Sequence, residues 1–123
     1  MNLAKFPRRR YTAGPTPIEY LGNLTKAVHG PQIHMKRDDL LGLAGGGNKT
    51  RKLEFLVADA LEKHADTLIT CEAFQSNHCR LTAAAANKER LGCHLVLEEN
   101  ALPNTNQTSG NYLLDHLLGA KIH

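Results

Sequence analysis

The chain has 123 residues, a formal net charge of +3 at pH 7 and a hydrophobic fraction of 41%, which is ordinary for one folded domain. The small charge and the absence of Trp argue against a nucleic-acid-binding protein, because few rings could stack on bases. No apolar run approaches the ~20 residues of a membrane span, and residues 1–5 lack the apolar core of a secretory signal. The cysteines are odd in number with no paired framework, so we expect reduced thiols and a cytoplasmic protein.

The N-terminal part of the chain is predicted to be an arm followed by a short helix and a strand. We expect Arg8-Arg9-Arg10 to be a solvated arm rather than a binding patch. The elements predicted next are a turn at 14–17, a helix over 18–28 that ends at Gly30-Pro31, a strand over 32–36 and a loop over 37–47.

The rest of the chain alternates between helix and strand patterns. The predicted elements are a helix over 48–63, a strand over 67–71, a loop over 72–75, a helix over 76–90, a strand over 93–97, a polar loop over 98–108, a helix over 109–118 capped by Gly119, and a strand beginning at 121. This order predicts an α/β fold with an open parallel sheet, right-handed crossovers and flanking helices. We divide the chain into residues 1–47, with the arm, short helix, strand and glycine-rich loop, and residues 48–123, an incomplete α/β domain.

Lys49 follows three consecutive glycines, residues 45–47, at the start of a predicted helix. Glycines can take φ > 0 and bring backbone close to a ligand. Lys49 lies four residues before Leu53 and therefore shares the apolar stripe of the helix, which comprises Leu53, Leu56, Val57, Ala60 and Leu61. A desolvated amine beside a helix N-terminus releases its proton more easily, and a neutral amine is the nucleophile that a Schiff base requires. We therefore identify Lys49 as a candidate nucleophile.

Three cations, Lys49, Arg51 and Lys52, occupy the opening turns of this helix. They oppose the helix dipole, which favours anions at this end by ~0.3–1 kcal/mol each. A local rule broken in this way often marks a functional site. For Lys52 we favour the simpler interpretation of a surface lysine.

A phosphate-binding loop of the Walker type is the obvious alternative for the glycine-rich segment. Gly42 and Gly47 have the required separation, but Asn48 stands between Gly47 and Lys49. That extra residue turns the lysine by ~100° if it is helical. Asp38 and Asp39 would also lie near the phosphates, so we exclude this loop type.

Four consecutive polar residues, Gln75-Ser76-Asn77-His78, follow the strand predicted over 67–71. In open α/β sheets, ligands gather at the carboxyl ends of strands, next to helix N-termini. Ser76 or Asn77 is a good N-cap on structural grounds alone, which explains one of the four residues. Free backbone N–H groups here would receive a carboxylate, Asn77 could donate to a phenolic oxygen, and Ser76 could contact a substrate.

Zinc is an alternative that residue types alone suggest. The candidates are Cys71, His78, Cys79, Cys93 and His94. No Cys-x-x-Cys or His-x-x-x-His spacing supports a site, and strand neighbours such as Cys93 and His94 point to opposite faces. We expect no metal.

Several stretches together resemble one enzyme family. Residues 36–39, 45–54 and 75–80 are similar to the D-cysteine desulfhydrase and 1-aminocyclopropane-1-carboxylate deaminase family, and residues 15–19 also match. The resemblance covers essentially the whole chain, and its most specific part is the combination of residues 48–54 with residues 75–78. The family consists of pyridoxal-phosphate enzymes of the tryptophan-synthase-β-like fold (PLP fold type II), so the resemblance implies that fold and the cofactor pyridoxal 5'-phosphate.

The resemblance also implies roles for four side chains. Lys49 would form the Schiff base with the cofactor and later move the Cα proton, and Asn77 would hydrogen-bond the ring oxygen of the cofactor. Ser76, Asn77 and His78, with nearby backbone amides, would contact a small amino-acid substrate, and Ser76 would be a catalytic residue beside Lys49. The implied reaction converts D-cysteine to pyruvate, sulfide and ammonia; 1-aminocyclopropane-1-carboxylate and cysteate are the alternative substrates. A full-length member would form a homo-oligomer.

Two departures from the family affect what the chain can do. Position 72 is Glu, where the family usually has glycine, and a carboxylate beside an anionic cofactor is unfavourable. Family members are also much longer, and their glycine-rich phosphate-binding loop comes later in the sequence. We therefore expect residues 1–123 alone to bind cofactor weakly, to aggregate and to be inactive. A truncated remnant without catalysis is the rival interpretation.

Overall fold

The N-terminal part of the chain forms a two-stranded antiparallel ribbon. The computed structural model describes residues 2–98 and 109–123. Strand β1 (Ile18–Tyr20) pairs with β2 (His34–Lys36), and helix α1 (Gly22–Val28) joins them. The helix predicted over 18–28 is therefore wrong in its first turn. Pairing with β2 holds β1 extended, so a tertiary partner overrides the local periodicity.

The rest of the chain forms a parallel sheet with helices. Strands β3 (Thr67–Ala73), β4 (Gly92–Glu98) and β5 (Lys121–Ile122) are parallel and adjacent in that order. Helix α2 (Lys49–Glu62) precedes β3, α3 (Asn77–Lys88) follows it, and α4 (Gly110–Leu117) precedes β5. This confirms the predicted α/β fold with an open parallel sheet and flanking helices.

Strand β3 is two residues longer than predicted. Glu72 and Ala73 pair with Leu97 and Glu98 of β4 instead of entering the loop. Of the polar loop predicted over 98–108, Glu98 belongs to β4, and the other positions lie outside the described residues.

Helix α3 forms the centre of the core. Its alanine run, residues 83–86, is buried, and Leu81 is fully buried. The small side chains let α3 lie close to the sheet, where Leu95 of β4 is also fully buried. On its other side α3 packs against Leu53 and Val57 of α2. Each large aliphatic side chain buried in this way contributes about 1.5–3 kcal/mol.

The buried stripe of α2 is rotated from the predicted one. Leu53 and Val57 are buried as expected, but Leu56 is 55% exposed. Glu54 and Ala58 take part in the buried face instead. The rotation follows from Glu54, whose carboxylate receives hydrogen bonds that the apolar pattern does not reveal.

The N-terminal arm is bound to the helices, which corrects the expectation of a solvated arm. Glu54 accepts hydrogen bonds from the backbone N–H groups of residues 11 and 12, at 2.8 and 2.9 Å, and pairs with the Arg8 guanidinium. Arg9 donates two hydrogen bonds to Glu89, at 2.9 and 2.8 Å. The first two arginines of the run are therefore paired with carboxylates of α2 and of the C-terminal end of α3.

Within the described ranges, no helix has both the length and the apolar character needed to cross a membrane. The division of the chain between residues 47 and 48 stays a prediction.

Candidate functional site

Ser76 caps the N-terminus of α3. Its Oγ accepts hydrogen bonds from the backbone N–H groups of His78, at 3.1 Å, and Cys79, at 3.4 Å. Ser76 is half-buried at the carboxyl end of β3, the edge where ligands bind in open parallel sheets. The cap uses the acceptor capacity of Ser76 Oγ and leaves its O–H as a donor.

Gly47 brings the segment before Lys49 against the start of α3. A Cβ atom at Gly47 would lie 3.0 Å from Leu81 Cδ1 and 3.1 Å from Asn77 Nδ2, and the residue has φ +137°. Only glycine satisfies both the space and the backbone conformation. Asn77 therefore lies against Gly47, two positions before Lys49. Lys49 is the first residue of α2 and is half-buried. The structure brings these two predicted site residues to the same edge of the sheet.

His78 turns toward the interior between β3 and α3. Its Nε2 lies 3.1 Å from Thr70 Oγ1, and its Nδ1 lies 3.4 Å from Thr82 Oγ1. Burial lowers the pKa of His78, and the positive charges of Lys52 and Lys49 lower it further. Burial and the two lysine charges therefore disfavour the charged form of the imidazole. Its predicted contact with substrate stays a prediction.

Asp38 organises the loop that precedes Lys49. Its carboxylate accepts hydrogen bonds from Arg51, at 2.7 Å, and from Thr16, at 2.7 Å, and its backbone oxygen accepts from the Gly47 N–H at 2.9 Å. The hydrogen bonds from Arg51 and Thr16 hold the pKa of Asp38 well below its usual range. Asp38 thus balances one of the three cations that crowd the start of α2. The sequence placed Asp38 in a stretch that resembles the family and as an obstacle to phosphate, but did not predict that it holds this loop.

Gln75 joins the β3–α3 loop to the start of α4. Its side-chain Oε1 accepts from the Asn111 N–H at 2.8 Å, and its backbone oxygen accepts from Asn111 Nδ2 at 2.6 Å. One of the four polar residues in the Gln-Ser-Asn-His run therefore has a structural role. Neither periodicity nor composition pointed to Asn111.

In the part of the chain that the structure describes, no group of three or more His, Cys, Asp and Glu side chains could hold a metal ion. Cys93 is buried, whereas its neighbour His94 lies with Nδ1 3.0 Å from Nε2 of His123.

An α/β layer whose carboxyl edge presents an amine, an amide and a capped helix N-terminus is typical of enzymes that bind an anionic cofactor or substrate. The chain belongs to the pyridoxal-phosphate dependent enzyme family, whose profile matches residues 10–123. This confirms the resemblance given by the motifs.

The relatives that this chain matches are similar to it in sequence but are much longer than it. D-cysteine desulfhydrases of Salmonella typhimurium and Salmonella paratyphi B are each 52% identical over 125 residues, covering 98% of this chain and 37% of the relative. A solved structure described as an ACC deaminase homologue matches with a TM-score of 0.86 and 45% identity, covering 98% of this chain and 35% of that one. The chain thus spans 37% of the length of the curated relatives it matches.

The described residues fit part of a pyridoxal-phosphate site. Lys49 offers an amine, Asn77 an amide donor and Ser76 a hydroxyl, and the close approach of Gly47 to Asn77 holds them at one edge. Glu72, the departure from the family pattern, lies exposed in β3, four residues before Ser76.

Proposed function

We propose that the protein carrying these residues is a pyridoxal-phosphate dependent lyase that converts D-cysteine to pyruvate, sulfide and ammonia. The observation that carries the proposal is the contact between the segment before Lys49 and the Asn77 side chain across Gly47. When bound, the cofactor supplies an aldehyde for an amine and a ring that accepts the electron pair of a Cα–H bond.

Lys49 holds the cofactor and moves a proton at the substrate Cα. Its position at the first residue of α2 gives the amine a helix-fixed origin, so the nitrogen reaches the same point at each turnover. Asn77, the first residue of α3, donates its amide N–H to the ring oxygen of the cofactor.

Ser76 and the N-terminus of α3 receive the substrate carboxylate. The Ser76 hydroxyl donates to the carboxylate, since its oxygen already accepts from two backbone N–H groups. The helix dipole favours an anion at this end. His78 lies between Thr70 and Thr82, where burial lowers its pKa and disfavours its charged form.

The overall reaction takes D-cysteine and water to pyruvate, hydrogen sulfide and ammonia. The Cα proton leaves, the Cβ–S bond breaks and sulfur departs with the bonding pair; water then releases the amino group. The alternatives within the class are 1-aminocyclopropane-1-carboxylate deamination and cysteate lysis. We further propose a cytoplasmic location and a homo-oligomer for the full-length protein.

Borohydride reduction of the full-length protein loaded with pyridoxal phosphate tests this function. Reduction should fix the cofactor to Lys49, as read by peptide mapping, and Lys49→Ala should lose both the label and pyruvate release from D-cysteine. Lys52→Ala is the matched control and should keep the label. A label on Lys52 instead would overturn the assignment of Lys49.

A second candidate is that residues 1–123 on their own are a non-catalytic remnant; these residues match 37% of the length of the relatives. Residues 1–123 purified alone and titrated with pyridoxal phosphate distinguish the two. Weak binding and no pyruvate support the remnant for this segment. Tight stoichiometric binding with turnover would mean that an oligomer supplies the remaining groups.

A further inference from the structure

Arg80 of α3 connects two other elements at the carboxyl edge of the sheet. Its Nη2 donates to the backbone oxygen of Gly46 at 2.6 Å, and its Nη1 donates to Asn111 Oδ1 at 2.5 Å. Gly46 belongs to the glycine segment before Lys49, and Asn111 lies in the first turn of α4. One guanidinium therefore spans the segment before α2 and the start of α4.

The Gly46 end of this connection is tightly fixed. A Cβ atom at Gly46 would lie 2.0 Å from the backbone oxygen of Asp39, and φ is +78°. The next residue, Gly47, donates its N–H to the Asp38 backbone oxygen at 2.9 Å. With the Gly46 carbonyl held by Arg80, the Gly46–Gly47 peptide has hydrogen bonds at both its oxygen and its N–H.

The Asn111 end continues to the loop that carries Ser76 and Asn77. Asn111 donates its backbone N–H to Gln75 Oε1 at 2.8 Å and its Nδ2 to the Gln75 backbone oxygen at 2.6 Å. The side-chain oxygen of Asn111 thus receives Arg80 while its donors hold Gln75. Movement of any one of these groups would be transmitted to the other two.

Arg80 also lies partly buried within electrostatic reach of Asp115 on α4. Among the residues that the structure describes, its Nε is buried without a hydrogen-bond partner, and so are both carboxylate oxygens of Asp115, one turn after Asn111 on α4. The Arg80 charge acts on the Asp115 carboxylate, which is 0% exposed. The attraction of Arg80 opposes the burial that raises the pKa of Asp115 but does not overcome it.

We propose that Arg80 is a positioning residue that fixes the glycine segment before Lys49 relative to the Ser76–Asn77 loop. It acts through Gly46 on one side and Asn111 on the other. The inference rests on the proposed function only for its consequence on cofactor binding, because the network itself exists without cofactor.

Hydrogen exchange of the full-length protein without cofactor tests the network directly. Arg80→Gln should speed exchange of the Gly47 and Asn111 amides by about ten-fold, while Leu95 in β4 stays within about two-fold. Arg9→Gln is the matched control, because it also removes a guanidinium with two hydrogen bonds, and it should leave these amides unchanged. Equal acceleration at Leu95, or no acceleration at Gly47, overturns the proposal.

A second variant keeps the test valid if Arg80→Gln does not fold. Asn111→Ala removes the anchor on α4 and should speed exchange at Gly47, to which Asn111 is linked through Arg80 and Gly46. Unchanged exchange at Gly47 in Asn111→Ala would also overturn the proposal.

Titration with pyridoxal phosphate measures the consequence for binding. Arg80→Gln should weaken the binding of pyridoxal phosphate by about ten-fold. Arg80→Lys keeps the charge and one donor group, so its affinity should lie between those of the wild type and Arg80→Gln. If the wild-type protein does not bind the cofactor, the proposed function fails while the exchange experiment still decides the role of Arg80. A cofactor affinity unchanged in Arg80→Gln would overturn the positioning role.

Discussion

Arg8 and Glu54 form an ion pair that joins the N-terminal arm to α2, with Arg8 Nε 2.6 Å from Glu54 Oε2 and the Glu54 side chain 0% exposed. Burial alone raises the pKa of Glu54, but hydrogen bonds from Tyr11, Arg8 and Thr12 outweigh it, so the pKa lies below its usual value. Among the described residues, five hydrogen bonds from Arg8, Tyr11 and Thr12 thus stabilise the negative charge.

Glu54→Ala should lower the free energy of unfolding by about 3–5 kcal/mol, because it leaves a guanidinium and buried N–H groups without their acceptor. Urea unfolding of the full-length protein measures the loss. Asp59→Ala removes an exposed i,i+4 partner of Lys63 and should cost only about 0.3–0.5 kcal/mol. Since the folded pKa of Glu54 is depressed, its contribution is present above the unfolded pKa of about 4.3 and is lost as pH falls through the folded pKa. Equal losses in the two variants at pH 7 would contradict this account.

Gly47→Ala should destabilise the protein by about 1–3 kcal/mol through its φ of +137° and its contacts with Leu81 and Asn77. It should also weaken pyridoxal-phosphate binding, since the new methyl group displaces the Asn77 amide. Gly42→Ala is the control, because φ is −71° there and a Cβ would meet nothing within 4 Å. Thermal unfolding and cofactor titration should therefore separate the two glycines. A similar response from both would show that chain flexibility, not the contact with Asn77, matters.

Asn77→Ala should shift the pH titration of the visible absorbance of the bound cofactor, because a hydrogen bond to the ring oxygen tunes its charge. Ser76→Ala should lower kcat/KM and also remove an N-cap worth about 0.5–2 kcal/mol. Asn87→Ala, near the opposite end of α3, removes a bond to the Leu118 backbone oxygen and should leave the spectrum unchanged. If the two N-terminal variants lower only stability, their predicted roles at the site are wrong.

Asp115→Asn should remove a pH dependence of stability. Burial raises the pKa of Asp115 to about 6, against the opposing charge of Arg80. Between about pH 4 and 6 the native state keeps a proton that the unfolded state has released, so stability falls as pH rises through this window. The variant, which cannot ionise, should lack this fall and exceed the wild type at pH 7 by about 2–3 kcal/mol. Asp59→Asn, at an exposed position, should keep the slope; the same slope in Asp115→Asn would contradict the assignment.

The elements that the sequence predicted well are those whose local preferences agree with their packing. Residues 67–71 form a short run of apolar and β-branched residues, and they lie inside β3. The alanine run of α3 is buried, as expected for a helix that packs against a sheet. An N-cap at Ser76 or Asn77 and a positive φ in the glycines before Lys49 were also predictable, because each satisfies a rule of backbone geometry, and the structure has the cap at Ser76.

The features that the sequence did not reveal depend on partners far away along the chain. Ile18–Tyr20 is extended only because β2 pairs with it, and Glu54 is buried only because the arm brings donors to it. Asn111 has no periodic or compositional signal, since its role depends on Gln75 and Arg80, both more than thirty residues away. Secondary-structure propensity and residue spacing report on residues that are close in sequence, whereas these contacts join residues that are far apart in sequence.

The attachment of the arm has a consequence for the order of folding. Arg8 meets Glu54 across 46 residues and Arg9 meets Glu89 across 80, whereas α2, β3, α3 and β4 are consecutive elements that contact one another. Long loops close late, because their entropy must be overcome before the contact stabilises the chain. The helices and strands should therefore assemble first and the arm last. Substitutions at Arg8 or Arg9 should then speed unfolding while leaving the folding rate nearly unchanged.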